Sequence, residues 1–180
     1  MRYLSSIVLL LLLLTGCRKN NGEPEGEYVK GDLSFGIRDE VTIDRVFNLI
    51  NEEHLDVEHI FGYTYVLPYP KDSIHMVRRE LVQKMYLKWP QSSATDTPNV
   101  FVNSADKMIL STSLFHMSDT ANQNDWLRTI GKLSMADRAV TFKNANIHVP
   151  DGQEKQWRDY LLQKEIVEWA QLNYIIELQR

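Results

Sequence analysis

The chain carries the sequence RDYLLQKEIVEW at Arg158–Trp169 and a related stretch, RRELVQKMYLKW, at Arg78–Trp89. The two stretches lie 80 residues apart, and their Arg, Leu, Gln, Lys and final Trp residues coincide at that offset. Further identities at this offset include Pro150 with Pro70, Ile130 with Ile50, and Phe115 with Phe35. A constant offset without gaps predicts an internal duplication. Chance similarity between two amphipathic helix–strand segments is the alternative.

Hydrophobic periodicity gives the order of elements around the first stretch. Apolar residues spaced three or four apart indicate helices, and short β-branched or aromatic runs indicate strands. Gly62 is predicted to form a turn between two strands. The predicted elements are a strand at Asp32–Ile37, a helix capped by Thr42, two strands within Val57–Leu67, a helix capped by Ser73 and a strand at Tyr86–Trp89.

The second half repeats this order. Asp151 and Glu154 have the spacing of a capping box, which satisfies backbone amides at a helix start. The predicted elements are a strand at Lys107–Phe115, a helix containing Trp126, a strand pair at Ala139–Phe142 and Ile147–Val149, a helix after Asp151 and a strand at Ile166–Leu178. The pattern predicts an α+β fold of two βαββαβ units at residues 31–90 and 107–180. Residues 91–106 are then a linker or a long loop.

A family resemblance rests on the end of the chain. The sequence VPDGQEKQW at Val149–Trp157, followed by Leu161 and by IVEWAQLN at Ile166–Asn173, resembles the end of subtilisin-type propeptides and their free inhibitor relatives. The resemblance implies tandem ferredoxin-like units, each an antiparallel sheet with two helices on one face. It also implies that the C-terminal residues, Glu177, Leu178, Gln179 and Arg180, would lie in a protease cleft. The sequence departs from the family at Gln171, where an acidic residue is usual.

The N-terminus indicates an exported lipoprotein. Arg2 precedes an apolar run, Ile7–Leu14, that is shorter than the roughly 20 residues a membrane-spanning helix needs. The run ends in LTGC at Leu14–Cys17, which resembles a lipobox. That resemblance implies that residues 1–16 are a signal peptide and that Cys17 carries diacylglycerol and a further acyl chain such as palmitate. An ordinary signal peptide with an incidental cysteine is the alternative.

The residues after Cys17 suggest how the domain is held. Residues 17–30 are polar and contain Gly and Pro, which predicts a flexible tether. Two or more acyl chains bind a membrane stably, whereas one chain binds only marginally. Arg18 differs from the aspartate that retains some lipoproteins at the inner membrane, so the outer membrane is the predicted location.

Composition excludes several functions. Cys17 is the only cysteine, so a lipidated chain has no thiol for disulfides, thiolate metal sites or nucleophilic catalysis. The 20 basic and 24 acidic residues are intermixed and give a net charge of −4. This balance offers no basic patch for nucleic acid.

No motif predicts catalysis, a cofactor or a metal. The chain lacks a phosphate-binding glycine loop, a His-Glu-x-x-His motif and a Gly-x-Ser-x-Gly elbow. His54 and His59, with acidic residues between them, could ligate a metal but are expected to be solvated loop residues. Adjacent carboxylates such as Glu52 and Glu53 do not point to one cleft and predict a solvated rim.

The four tryptophans have two interpretations. They are Trp89, Trp126, Trp157 and Trp169. Large aromatics at periodic positions usually lie in the core, but a partly exposed one could form a platform for a glycan or peptide. Taken together, the sequence favours a non-enzymatic, membrane-anchored module that binds a protein or peptide. A structural subunit of an envelope complex and a hydrolase with a spatially assembled site are the alternatives.

Overall fold

The computed structural model describes residues 26–88, 98–138 and 142–175. The predicted signal peptide, Cys17, most of the predicted tether, Trp89 and the C-terminal Glu177–Arg180 lie outside these residues. Within them, no helix combines the length and apolar character needed to cross a membrane.

Four helices and seven strands make up the described chain. The strands form one sheet in the order β3-β4-β2-β6-β1-β7, and β5 pairs with β2. Every strand pair is antiparallel, which confirms an α+β fold with an antiparallel sheet. The elements are β1 (Tyr28–Ile37), α1 (Ile43–Glu53), β2 (Asp56–Leu67), a 3-10 turn (Lys71–Ser73), α2 (Ile74–Leu81), a 3-10 turn (Met85–Leu87), β3 (Asn99–Val102), β4 (Met108–Phe115), α3 (Thr120–Lys132), β5 (Ala136–Arg138), β6 (Lys143–His148), α4 (Glu154–Leu161) and β7 (Val167–Tyr174).

The strands of the two halves interleave. From β4 to β7 the sheet alternates between strands of residues 98–175 and strands of residues 26–88. In particular, β6 pairs with β1 on one edge and with β2 on the other. The strand pairing therefore does not separate residues 31–90 from residues 107–180. Periodicity identifies a strand and its buried face, but it does not say which strand lies beside it.

The offset of 80 residues recurs in the backbone. Helix α2 spans residues 74–81 and α4 spans 154–161. His54 and Ser134, which follow α1 and α3, have positive φ angles of 52° and 48°. Gly62 and Phe142 both have φ near 84°. The bounds of one helix pair and two pairs of positive φ angles thus recur at the same offset of 80 residues as the sequence identities.

Gly62 does not form the predicted turn. It lies inside the continuous strand β2, where the register shifts between Ile60 and Tyr63. A Cβ atom on Gly62 would lie 2.5 Å from the Phe142 carbonyl oxygen. The glycine therefore permits a β-bulge at which another segment approaches closely, and the strand continues through it.

Other boundaries also differ from the sequence prediction. Tyr28–Lys30 belong to β1 and not to the tether, and Asn99–Val102 form β3 within the predicted linker. Tyr86 lies in a 3-10 turn where a strand was predicted. Of the predicted strand at Ala139–Phe142, residues 139–141 lie outside the described chain. The predicted strand at Ile147–Val149 falls at the end of β6, and β5 and β6 both run along β2. β7 ends at Tyr174, and residues 176–178 lie outside the described chain.

One hydrophobic cluster joins the helices to one face of the sheet. Its members include Phe35 and Ile147 from the strands and Val46, Val77 and Leu161 from the helices. Trp126 of α3 is fully buried, with edge-on ring contacts to Tyr65 and Tyr86 at 5.7 and 6.1 Å. The core interpretation is therefore confirmed for this tryptophan.

A buried lysine ties β6 to the loop after β1. The Lys143 side chain is fully buried, and its Nζ donates to the carbonyl oxygens of Asp39 and Val41 at 2.8 and 3.1 Å. It also lies 3.2 Å from Asp137 and 4.6 Å from the centre of the Tyr63 ring. Lys143 thus joins β6 to Asp137 and to the loop after β1 through hydrogen bonds that satisfy its buried Nζ.

The close approach at Gly62 predicts a contrast between two glycine substitutions. We expect Gly62→Ala to lower the free energy of unfolding by about 2 kcal/mol or more, because an L-residue is strained at positive φ and the new methyl group meets backbone. The matched control is Gly131→Ala in α3, where nothing lies within 4 Å of the added Cβ. We expect that control to raise stability by about 0.5–1 kcal/mol. Urea unfolding of both variants measures the difference, and equal effects would contradict the bulge geometry.

Candidate functional site

An open groove lies between the C-terminal end of α1 and helix α4. Its volume is about 690 Å³, within the range of ligand sites in proteins. We call it the α1–α4 groove. Its lining residues are Glu53, Gln153, Gln156, Trp157, Asp159, Tyr160 and Gln163. The lining combines two aromatic rings with amide and carboxylate groups.

Helix α4 is fixed in place at its first residue. Glu154 is buried, and its Oε1 accepts hydrogen bonds from the backbone amides of Gly31 at 2.8 Å and Gly152 at 3.0 Å. The hydrogen bond from Gly31 is the main cause that lowers the pKa of Glu154. The predicted role of Glu154 at a helix start is thus found, but Gln153, and not Asp151, is the N-cap residue. The bond to Gly31 also fixes α4 against β1.

The two aromatic residues of α4 line the groove from neighbouring positions, and Trp157 also packs against the hydrophobic cluster. Leu161 is buried in the hydrophobic cluster, whereas Trp157 is half-buried and Tyr160 is 37% exposed. Trp157 and Tyr160 are three residues apart, so they are neighbours on the helix surface. Their rings meet edge to face, with centres 5.8 Å apart. Trp157 therefore combines the two interpretations of the tryptophans, because it packs against the core cluster and also lines the groove.

A hydrogen-bonded network orders the Tyr160 side of the groove. The Tyr160 hydroxyl donates to Glu53 Oε2 at 2.5 Å, and Lys164 Nζ donates to Glu53 Oε1 and, at 2.8 Å, to the Tyr160 oxygen. Lys164 Nζ also lies 4.2 Å from the centre of the Tyr160 ring. The bond from Lys164, followed by that from Tyr160, lowers the pKa of Glu53. The bond to Glu53 likewise raises the pKa of Lys164.

These pKa directions limit what the network can do chemically. Both Glu53 oxygens already accept hydrogen bonds, and the carboxylate stays ionised to lower pH than usual. A general base or acid works best with a pKa near the operating pH, and this carboxylate moves away from it. The network is therefore suited to holding Tyr160 and Glu53 in fixed positions for binding.

A second depression adjoins the groove on the far side of Trp157. It has a volume of about 490 Å³ and shares Glu53 and Trp157 with the α1–α4 groove. Its other lining residues are His54, Leu55, Asp56, His148, Val149 and Pro150. Trp157 thus lies between two neighbouring depressions, where it can contact a ligand that extends across both.

The predicted histidine pair does not form one site. His54 lines the second depression, but His59 lies in β2 and is buried against Phe61, with ring centres 4.0 Å apart. Burial lowers the pKa of His59, which favours the neutral ring. In residues 26–88, 98–138 and 142–175, no group of three or more His, Cys, Asp or Glu side chains could hold a metal ion. The expectation of a solvated loop residue is wrong for His59.

The adjacent carboxylates have different environments. Glu52 is exposed, as a solvated rim requires, but Glu53 belongs to the network with Tyr160 and Lys164. Sequence reasoning missed this network. The spacing of Tyr160 and Lys164, four residues apart on one helix, was a usable signal for part of it. The partner Glu53, 107 residues from Tyr160, gave none.

No family model, no curated protein and no solved structure matches this chain.

The network predicts a pH-dependent contribution to stability. Because the pKa of Glu53 is lowered in the folded state from its ordinary value of 4.5, its contribution is present above that value and is lost as the pH falls through the folded pKa. We expect Glu53→Gln to be less stable than the unaltered chain at pH 7, and the difference to shrink below pH 4.5. Urea unfolding at a series of pH values measures it.

The control is Glu52→Gln, which removes the exposed carboxylate one residue earlier in the same helix. It should leave the pH dependence of the unaltered chain in place. A Glu53→Gln variant whose stability deficit stays constant down to pH 3 would contradict the network.

Proposed function

We propose that this chain is a lipid-anchored, non-enzymatic domain that binds a peptide segment of a protein partner in the α1–α4 groove. The observation that carries the proposal is the position of Trp157. This ring is half-buried between two adjoining depressions, beside a tyrosine that is held by Glu53 and Lys164. Rigid aromatic side chains among polar groups are typical of residues that dominate binding energy.

The lining favours a peptide of neutral or basic character. Gln153, Gln156 and Gln163 can both donate to and accept from the backbone of a bound chain. The aromatic pair offers apolar surface to one or two side chains. The lining carboxylates, Glu53 and Asp159, are already paired with Lys164 and Arg158, and no lysine or arginine is among the lining residues to bind an acidic ligand. Because the Glu53 network already orders Tyr160, binding would cost less side-chain entropy there.

The proposed anchor is the lipidated Cys17 at the end of the Leu14–Cys17 motif. The apolar run before it is too short to span a bilayer, and the motif resembles a lipobox. Acyl chains on this residue would hold the domain at a membrane surface. We place it at the outer membrane, because Arg18 follows the cysteine.

Removal of the thiol tests the anchor. We expect Cys17→Ser to abolish labelling by radioactive palmitate and to move the chain from the membrane fraction of cells to another fraction or to the uncleaved precursor. Mass spectrometry of the unaltered chain should show acylation at Cys17 and no residues before it. A mature chain with a free thiol would contradict the proposal.

Truncation of the central aromatic tests the groove. Peptides are first selected from a phage-displayed random library on the full mature chain in detergent. We expect Trp157→Ala to weaken the binding of the selected peptides about tenfold or more, because an aromatic residue at the centre of a binding site carries much of the energy. Isothermal titration calorimetry with the synthetic peptides measures this.

The control for the groove is Phe142→Ala. Phe142 is 84% exposed, so its removal reports on non-specific adhesion of peptides to apolar surface. Equal loss in the two variants would contradict a specific groove.

The propeptide-like form of the proposal predicts that the chain slows subtilisin. If that effect survives Trp157→Ala but needs residues 177–180, the binding segment is the C-terminal tail. A stoichiometric envelope complex that forms independently of Trp157 would favour the structural-subunit alternative.

We also propose that the two halves derive from duplication of one ferredoxin-like βαββαβ unit, of which β1, α1, β2 and α2 in the first half and β4, α3, β5, β6, α4 and β7 in the second are the described parts. The constant offset of 80 residues in sequence identities, helix bounds and positive φ angles supports it. Because the strands interleave, two copies would complete one shared sheet and not two sheets in tandem.

A further inference from the structure

Three neighbouring strands present uncharged polar side chains on the face of the sheet opposite the helices. We call this surface the amide face. Side chains alternate between the two faces of a strand, and the intervening residues, such as Leu33, Ala145 and Leu172, lie in the hydrophobic cluster. The amide face consists of Ser34 in β1, Asn144 and Asn146 in β6, and Trp169, Gln171 and Asn173 in β7.

Cross-strand pairing brings these residues together. Ser34 lies opposite Asn146 on one side and Gln171 on the other. Gly36, two residues along β1, lies opposite Asn144 and Trp169. From the spacing of strands and residues, the amide face extends about 10 Å across the sheet and about 13 Å along β7. Such an area can accommodate a short run of linked sugar rings.

Trp169 lies flat on the sheet over Gly36. A Cβ atom on Gly36 would lie 2.1, 2.3 and 2.6 Å from Nε1, Cε2 and Cδ1 of the indole. Three such similar distances mean that Gly36 faces the plane of the five-membered ring and not its edge. One face of the indole therefore covers the glycine, as aromatic residues do over glycines in sheets. The Trp169 side chain is half-buried, so part of the indole remains accessible to a ligand.

Two amides of the amide face, Asn146 and Asn173, are held in place by one hydroxyl group. The Ser34 hydroxyl is hydrogen-bonded to Asn146 at 2.8 Å and to Asn173 at 2.7 Å. A side-chain amide has two donor hydrogens and two acceptor lone pairs, so one such bond leaves most of its capacity for a ligand. Asn144 and Asn146 are half-buried and Gln171 is exposed. Ordered amides would lose little freedom when they bind.

The charge of the amide face selects the ligand class. All six residues of the amide face are uncharged, although 24% of the chain is charged. Beyond Ser34 and Asn146 the same face continues to Asp32 and His148, whose side chains are hydrogen-bonded to each other at 2.8 Å and present no lysine or arginine. A nucleic acid or an acidic polymer requires Lys or Arg opposite its charges. A neutral sugar instead matches this face, because its hydroxyl groups both donate and accept hydrogen bonds and its ring presents an apolar side to an indole. We propose that the amide face binds an uncharged polysaccharide, with one sugar ring stacked on Trp169 and its hydroxyls bonded to the neighbouring amides.

This site is independent of the proposed groove. The amide face lies on the side of the sheet away from the hydrophobic cluster that contains α4 residue Leu161. Loss of peptide binding in the α1–α4 groove would therefore leave polysaccharide binding intact, and the reverse also holds. A domain attached at a membrane could hold a protein segment on one side and a surface glycan on the other.

Affinity electrophoresis of the full mature chain in detergent tests the proposal. Native gels contain one of four neutral polysaccharides (dextran, mannan, xylan or hydroxyethyl cellulose) or the anionic polymers alginate and heparin. We expect at least one neutral polysaccharide to retard the chain. Trp169→Ala should raise the dissociation constant at least tenfold, and Trp169→Phe should retain part of the affinity because it keeps a flat ring.

The double variant Asn144→Ala with Gln171→Ala distinguishes a loss of binding from a folding defect, because it leaves the indole and Gly36 intact. It should also weaken retardation at least tenfold, with an unchanged thermal unfolding midpoint. The control Phe101→Ala removes a 40% exposed aromatic from β3, at the opposite edge of the sheet, and should bind as the unaltered chain does. The proposal is overturned if no neutral polysaccharide retards the chain, if only the anionic polymers do, or if the double variant binds normally.

Discussion

The hydrogen bonds that β6 makes along both of its edges are the constraint on which the rest of the structure depends. On one edge β6 pairs with β1 and on the other with β2, so among the described strands these two strands of the first half are linked in the sheet through a strand of the second. The buried Lys143 at the start of β6 reinforces this position through carbonyl groups of the loop after β1. Without β6, the sheet would divide between β1 and β2.

The interleaved sheet also explains how the groove is assembled. Helix α1 follows β1 and α4 follows β6, and these two strands are neighbours, so helices from different halves lie side by side. Glu53 at the end of α1 consequently meets Tyr160 and Lys164. The amide face has the same origin, since its three strands, β6, β1 and β7, come from both halves. Each candidate surface exists only because the halves share one sheet.

Sequence periodicity predicted most elements but not their partners. The helix after Thr42, the strand ending at Phe115 and the helix containing Trp126 follow from local apolar spacing, and the structure has them. The sequence predicted a turn at Gly62, where the structure has a bulge. A glycine within a strand-like run is compatible with a turn and with a bulge, and the close approach of Phe142 shows that it is a bulge. The Glu53 network and the indole over Gly36 join residues more than 100 positions apart, and no local pattern encodes such pairs.

The exchange of strands between halves also affects how the chain can fold during synthesis. β2 begins at Asp56, yet all of its strand partners lie beyond residue 107, so a ribosome must produce most of the chain before β2 can pair. Contacts of such large sequence separation slow folding, because the entropy of closing a long loop is lost before any contact compensates for it. A slow folder stays unstructured for longer, which would suit the proposed export of this chain through a secretion channel in extended form. Any nascent fragment that lacks Lys143–His148 would expose open strand edges, which are prone to aggregate.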